Sequence, residues 1–200
     1  MRRAVFLDRD GVINVEGGKH VLRPEDLHIL PGVLNAIADL TQAGWPVFVF
    51  TNQSGVGRGY MTEAALDAIH DYLHCEVVKA GGELTAIYAC PHHPTAGCDC
   101  RKPQPGMLLQ ASREHNIDLG ASVVVGDSPR DIAAGKAAGA RAVLVLSGRT
   151  RDYSPERFPT MTAIWESGAF ERSAGDEIEF GLARLLDGVE LLVEKLASST

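Results

Sequence analysis

The stretch Val5-Phe6-Leu7-Asp8-Arg9-Asp10-Gly11-Val12-Ile13-Asn14 decides how the chain is read. Val5 to Leu7 is a short apolar run of the kind that forms a buried strand, and it ends abruptly on two carboxylates one residue apart. Ionised carboxylates are costly in a core unless they are paired or bound to metal. They are useful just beyond the carboxyl end of a strand, where open α/β sheets bind their ligands. The expectation is a metal-assisted phosphate-transfer site, with Asp8 as nucleophile and Asp10 as proton donor.

Outward from this stretch, apolar strands alternate with amphipathic helices. A helix is expected from Pro31 to Gly44, with Leu34, Ile37, Ala38 and Leu40 on one face. Val47–Phe50 reads as a second buried strand, ending at Thr51. Thr62, Ala65, Leu66, Ile69, Tyr72, Leu73 and Val77 then mark a second helix, closed by Gly81 and Gly82. Thr85–Ala89 is a third strand, Pro105–His115 a helix, and Ser122–Val125 a fourth strand ending at Gly126-Asp127. Ala133–Ala138 continues a helix stopped by Gly139, and Ala142–Leu146 is another strand. This alternation predicts an α/β, doubly wound, mostly parallel sheet with right-handed crossovers. The whole of 1–200 is expected to be one domain, with an irregular stretch over 147–176, an edge strand near Ile178 and Phe180, and a terminal helix over about 182–197.

The composition, 45% hydrophobic and 22% charged, is that of an ordinary globular chain. Its formal net charge of −7 argues against nonspecific nucleic-acid binding. A local cationic pocket could still take an anionic small molecule. No apolar run is long enough for a membrane span, and the first residues carry no signal-peptide pattern, so the cytoplasm is the expected compartment. A chain this long buries roughly 70% of its extended surface, enough for one sizeable core.

The strand ends collect polar residues that a core would not select. The first gives Asp8 and Asp10, the second Thr51, the fourth Asp127 with Asp131 shortly after, and Arg101-Lys102 lies between. Phosphate-ester cleavage by covalent catalysis needs such a set. A carboxylate attacks phosphorus, Lys102 and the Thr51 hydroxyl hold the phosphoryl oxygens, and a second carboxyl protonates the leaving oxygen and then deprotonates water. Mg2+ suits the oxygen-rich site. The expected ligands are Asp8, Asp127 and the main-chain carbonyl of Asp10, with Asp131 orienting Lys102 or a metal-bound water.

Cys90-Pro91-His92-His93, followed by Cys98-Asp99-Cys100, supplies three thiolates and an imidazole within eleven residues. That is the ligand set of a closed, structural zinc site, with His92 or His93 as the imidazole. Bracing Cys98 and Cys100 would fix Arg101 and Lys102 beside the phosphate. Cys75, on a helix, is expected to be a buried apolar residue.

Taken in order, Asp8-Arg9-Asp10-Gly11-Val12, Thr51-Asn52-Gln53-Ser54, Lys102-Pro103 and Gly126-Asp127-Ser128-Pro129-Arg130-Asp131 resemble the four motifs of the haloacid-dehalogenase (HAD)-type phosphatase superfamily. With the zinc loop added, the resemblance narrows over about residues 4–147 to the heptose-bisphosphate phosphatase branch. Histidinol-phosphate phosphatases are the nearest relatives and the alternative function. The resemblance implies a HAD-like (Rossmannoid) fold without a large cap domain, removal of the C7 phosphate of a heptose bisphosphate, and His92 as the zinc ligand. It implies substrate contacts from Asn52, Gln53 and Ser54 as well as Thr51 and Lys102. Arg101 would read the distal part of the sugar, and Glu16, Gly17, Gly18 and Lys19 would flank it. Arg58 is a further cationic candidate, whereas Ser128 stands where a relative can carry a lysine. The implied partner is a small phosphorylated sugar, with neither nucleic acid nor membrane, and a capless chain of this size is expected to be a monomer. A noncatalytic phosphate-binding protein is the alternative from outside enzymes.

Overall fold

The computed structural model describes residues 1–18, 20–145 and 147–148. Five strands, β1 (Val5–Leu7), β2 (Val47–Asn52), β3 (Ala86–Cys90), β4 (Val123–Gly126) and β5 (Arg141–Leu144), form one sheet in the order β3-β2-β1-β4-β5. Every strand pair is parallel. Four helices connect them: α1 (Val33–Gln42), α2 (Glu63–Lys79), α3 (Gly106–His115) and α4 (Pro129–Ala137). The chain winds outward from β1 to β3, then returns through α3 to set β4 against the other side of β1. This reversal is the switch point at which open sheets bind ligands.

The strands alternate between two apolar layers, as a pleated strand buried on both sides must. Val5, Leu7, Val47, Val49, Val123 and Val125 pack with residues of α1 and α2. Phe6, Phe48, Phe50 and Val124 pack on the opposite face with α3 and α4. There the Phe6 and Phe48 rings stack with centroids 4.9 Å apart. Such residues each contribute about 1.5–3 kcal/mol on burial, so the sheet centre is the rigid part from which the site projects.

Local chemistry fixes the helix ends. Thr62 caps α2 by accepting a hydrogen bond from the Ala65 N–H at 3.1 Å, and Leu66, Ile69, Leu73 and Val77 repeat on its buried face. Cys75 lies off that stripe and is exposed, so the expectation of a buried cysteine is overturned. Tyr72 is 38% exposed and belongs to the rim of the same helix. Helix α4 starts at Pro129, with Asp131 in its first turn. Proline lacks an N–H and suits the first helical position, and the carboxylate of Asp131 accepts from the Ser128 N–H at 3.0 Å. Strand β2 runs two residues further than its apolar run, because Thr51 and Asn52 stay in register with Ala89 and Cys90. Within the irregular segment before α1, Pro24–Asp26 forms a single 3-10 turn.

The expectations for Lys19, most of 147–176, the edge strand near Ile178 and the terminal helix fall outside the described residues. Among the described residues no helix is long and apolar enough to cross a membrane.

Candidate functional site

Asp8 leaves the sheet directly after β1, its N–H still paired with the Val125 carbonyl at 2.9 Å. Its carboxylate is 2.8 Å from the Lys102 ammonium, which also contacts Asp131 at 2.5 Å. A third Lys102 hydrogen goes to the Phe50 carbonyl at 3.0 Å. An ammonium has three donors, and all three are placed. Lys102 reaches this position through Asn52. The Asn52 side-chain oxygen accepts from the Lys102 N–H at 3.0 Å, and its amide donates to the Lys102 carbonyl at 3.2 Å.

Asp8, Asp127 and Asp131 are all buried, and each offers a carboxylate oxygen within 4.8 Å of the others. A carbon on the α-carbon of Gly11 would overlap Asp127, and Gly11 also has φ +87°, so glycine is required at this close approach. Burial, reinforced by Asp131 and Asp127 and only partly offset by Lys102, pushes the Asp8 carboxyl up to about 8. Burial opposes the charge on Lys102 as well, yet Asp131 and Asp8 hold its pKa above the ordinary lysine value. Three carboxylates around one ammonium carry an excess of negative charge, and hard oxygen donors at this spacing fit a divalent cation such as Mg2+.

Asp10 points elsewhere. Arg9, completely buried, grips its carboxylate through Nε at 3.2 Å and Nη2 at 2.9 and 3.0 Å. Asn14 donates to it at 3.1 Å and Gln53 at 2.8 Å. Burial favours the neutral acid, but the Arg9 charge and these donors bring Asp10 below the usual carboxylate range. No role for Arg9 was read from the sequence, although an arginine between two strand-end aspartates is a visible signal.

The zinc-ligand candidates come together. Cys90 Sγ is 3.6 Å from both Cys98 Sγ and His92 Nδ1, Cys98 and Cys100 are 3.5 Å apart, and His92 Nδ1 is 3.2 Å from Cys100 Sγ. A tetrahedron with Zn–S of about 2.3 Å and Zn–N of about 2.05 Å would space its ligands by about 3.6–3.8 Å. The donor set fits zinc. His92 supplies the imidazole, whereas His93 turns to the Thr95 hydroxyl at 2.8 Å. Burial raises the Cys98 thiol, but hydrogen bonds from Cys100 and Cys90 bring it down to about 7, which favours a metal-binding thiolate.

The loop of this cluster is stitched to the pocket. The Gln53 N–H donates to the Cys90 carbonyl and the Gly57 N–H to the Pro91 carbonyl, each at 2.8 Å. A side chain at Gly57 would collide with the His93 backbone nitrogen, so these two loops approach as closely as backbones can.

A polar cleft of about 420 Å³ opens above Asp8 and gathers Asp10, Thr51, Asn52, Gln53, Ser54, Arg101, Lys102, Asp127 and Asp131. Glu16 and Gly18 reach it, while Gly17 lines a neighbouring hollow with Val15, Val21 and Leu22. Asn52 and Gln53 line the cleft, and their amides also hold Lys102, Asp10 and Thr51. Arg101 lines the cleft, and its buried Nη1 has no acceptor among the described residues. Arg58 is joined at the rim by His20, Tyr60 and Arg130, none of which the sequence reading had singled out. His20 and Tyr60 come from separate loops, and their rings meet with centroids 5.3 Å apart.

Comparison with known proteins follows the same lines. Residues 99–165 match the HAD-hydrolase-like family model. The chain is similar to a D-glycero-beta-D-manno-heptose-1,7-bisphosphate 7-phosphatase of Bordetella bronchiseptica, 46% identical over 149 residues, 74% of this chain and 83% of the relative. The enzyme of that name from Pseudomonas aeruginosa is 42% identical over 173 residues, covering 86% of this chain and 97% of the relative. Among solved structures, the B. bronchiseptica D,D-heptose 1,7-bisphosphate phosphatase complexed with magnesium and phosphate superposes with a TM-score of 0.75 and 39% identity. That likeness covers 96% of this chain and 99% of the other.

Proposed function

The chain belongs to the HAD-type heptose-1,7-bisphosphate 7-phosphatase family, and from that premise we propose that it hydrolyses the C7 phosphate of D-glycero-D-manno-heptose 1,7-bisphosphate through an aspartyl-phosphate. One observation carries the reading. Buried Asp8 faces the Lys102 ammonium at 2.8 Å, directly beneath an open polar cleft.

An Asp8 oxygen attacks phosphorus, the bond from phosphorus to the C7 oxygen breaks, and the leaving oxygen takes a proton from Asp10. Water then attacks phosphorus, Asp10 takes its proton, and the phosphorus bond to Asp8 breaks. Arg9, Asn14 and Gln53 keep Asp10 ionised at rest, so it is poised for the second step. The proton for the first enters with the substrate, whose second phosphate ionisation lies near pH 6. Lys102 opposes the charge that accumulates on the phosphoryl group, and Thr51 donates to one of its oxygens. Mg2+ held by Asp8, Asp127 and the Asp10 carbonyl would offset the carboxylate cluster and polarise a phosphoryl oxygen. Asp131 holds Lys102 in place. Cys90, His92, Cys98 and Cys100 would hold zinc, which would brace the loop that delivers Arg101 and Lys102.

The outer cleft favours an anion at the far end of the substrate. Arg58, Arg101 and Arg130 line it, and among the described residues Glu16 is the one carboxylate there outside the aspartates Asp8, Asp10, Asp127 and Asp131. Histidinol phosphate, with its cationic amine, would meet the wrong charge there. Arg101, with an unused donor, is the residue assigned to the second phosphate. A set of cysteines free of disulfides suits a reducing compartment, so the reaction is assigned to the cytoplasm, carried out by a monomer.

The test is phosphate release by the Mg2+-loaded protein from both anomers of the heptose bisphosphate, fructose 1,6-bisphosphate and histidinol phosphate. The heptose bisphosphate should give the highest kcat/KM, led by the beta anomer that the relatives are named for. Asp8→Asn should abolish release from every substrate. A higher kcat/KM on histidinol phosphate would overturn the substrate, and an active Asp8→Asn variant would overturn the mechanism.

A further inference from the structure

Gln53 sits where two motifs meet. Its amide nitrogen is 2.8 Å from Asp10 Oδ2 and 3.0 Å from Thr51 Oγ1. The residue is 3% exposed, and its backbone is tied on both sides, to the Cys90 carbonyl at 2.8 Å and the Val56 N–H at 3.3 Å. The amide has one workable orientation. Rotating it by half a turn would bring its oxygen against the Asp10 carboxylate, two acceptors with no proton between them. The nitrogen therefore faces inward, and its two hydrogens serve its two acceptors.

This has a directional effect on Thr51. A hydroxyl has one proton and two acceptor positions. With the Gln53 amide donating to it, the Thr51 oxygen takes the acceptor part on that side, and its proton must point away. Among the described residues no acceptor takes that proton, and the remaining direction is the cleft that Thr51 lines. We propose that Gln53 is a positioning residue which sets the Thr51 hydroxyl as a donor aimed at the phosphoryl oxygen before substrate arrives. A serine or threonine rotor free to turn would have to be ordered during the reaction. A rotor already held contributes its full hydrogen bond in the transition state.

The inference deepens the phosphatase reading and rests on it, so the first measurement is wild-type turnover of the heptose bisphosphate. Absence of turnover would remove the reading itself; everything below concerns Gln53 alone. Gln53→Met keeps the volume and removes the donor. Its kcat is expected to fall about 30-fold, less than the roughly 100- to 1000-fold seen for outright loss of one oriented donor because the Thr51 hydroxyl remains, with KM changed less than about threefold. Orthovanadate mimics the five-coordinate phosphorus of the transition state. Its Ki should rise at least about tenfold, while the Ki of inorganic phosphate moves less than about threefold.

The double-mutant cycle with Thr51→Val supplies the decisive comparison. If Gln53 acts through the Thr51 hydroxyl, adding Gln53→Met to Thr51→Val should cost less than about threefold further. Gln53→Glu is the second probe. Its carboxylate only accepts, so it would draw the Thr51 proton away from phosphate, and the loss of kcat should match or exceed that of the methionine variant. Zinc content and melting temperature identify a variant that fails to fold, in which case the glutamate variant carries the comparison. Equal losses in the wild-type and Thr51→Val backgrounds, or vanadate and phosphate affinities that fall together, would overturn the proposal.

Discussion

Acidification should loosen the protein's hold on Mg2+ well above the pH at which ordinary carboxylates protonate. The cause is Asp8, whose carboxyl burial and two neighbouring carboxylates push up to about 8 from an ordinary 3.8. Below that pH a cation entering the site must expel a proton first. Well below it each pH unit is worth about tenfold in apparent affinity, and because the group is half protonated at pH 8 the change between pH 8 and pH 6 is roughly 50-fold. Titration calorimetry of the metal-free protein, repeated in buffers of different ionisation enthalpy, counts the protons released. About one per Mg2+ is expected at pH 6, falling to about a quarter at pH 8.5. The stability of the metal-free protein should carry the same signature. A carboxyl raised in the folded state contributes fully below its unfolded pKa, and that contribution is lost as pH rises from about 3.8 to about 8. Asp10, lowered by Arg9, works in the opposite sense and loses its contribution only as pH falls through the acid range. Mg2+ should therefore raise the melting temperature more at pH 8 than at pH 6. Flat affinity between pH 6 and 8, with fewer than about 0.3 protons released at pH 6, would refute the coupling of Asp8 to the metal.

Three further outcomes follow from the packing around this site. Asp131→Asn takes one of two carboxylates from buried Lys102, which keeps Asp8 and the Phe50 carbonyl; urea unfolding should show a loss of about 1–3 kcal/mol, and phosphate release should fall with it. Cys98→Ser should leave less than about half an equivalent of zinc by metal analysis and lower the melting temperature by about 5–10 °C, a loss of roughly 2–3 kcal/mol. Gly57→Ala would drive a methyl group into the backbone at His93 and should displace zinc. Gly59→Ala, which meets only open space and a φ of +73°, should cost about 1–2 kcal/mol and keep the metal.

The parallel sheet was legible because strands buried on both faces are written as unbroken apolar runs, and Val47–Phe50 and Val123–Val125 are such runs. What the sequence obscured was where polar residues extend an element. Thr51 and Asn52 remain in β2 because β3 pairs with them, a partner invisible to a local reading. Pro129 opens α4 because Asp131 turns back on Ser128, a contact that fixes the first residue of the helix. Cys75 was assigned to the core from its residue type, and helical phase sent it to solvent. The strand-end aspartates, Thr51, Lys102 and the Cys/His set could be collected into one neighbourhood because the fold itself dictates which strand ends meet. The directions of their side chains could not. Asn52 and Gln53 line the cleft, and their further bonds to Lys102, Asp10 and Thr51 depend on which groups the fold sets beside them. Arg9 passed unremarked because an arginine is seldom fully buried unless a carboxylate such as Asp10 holds it.

The clamp between Asn52 and Lys102 also frees the zinc loop as a unit of variation. The loop is anchored at Cys90 by β3 and at Lys102 by the paired Asn52 hydrogen bonds, while Pro94–Gly97 between those anchors is exposed. Chain added at 94–97 lengthens a span whose two ends are already pinned, and doubling such a loop costs only about 0.6 kcal/mol. The cleft rim can thus be rebuilt by insertion without moving the ammonium that faces Asp8, leaving the reaction fixed while the outer wall changes.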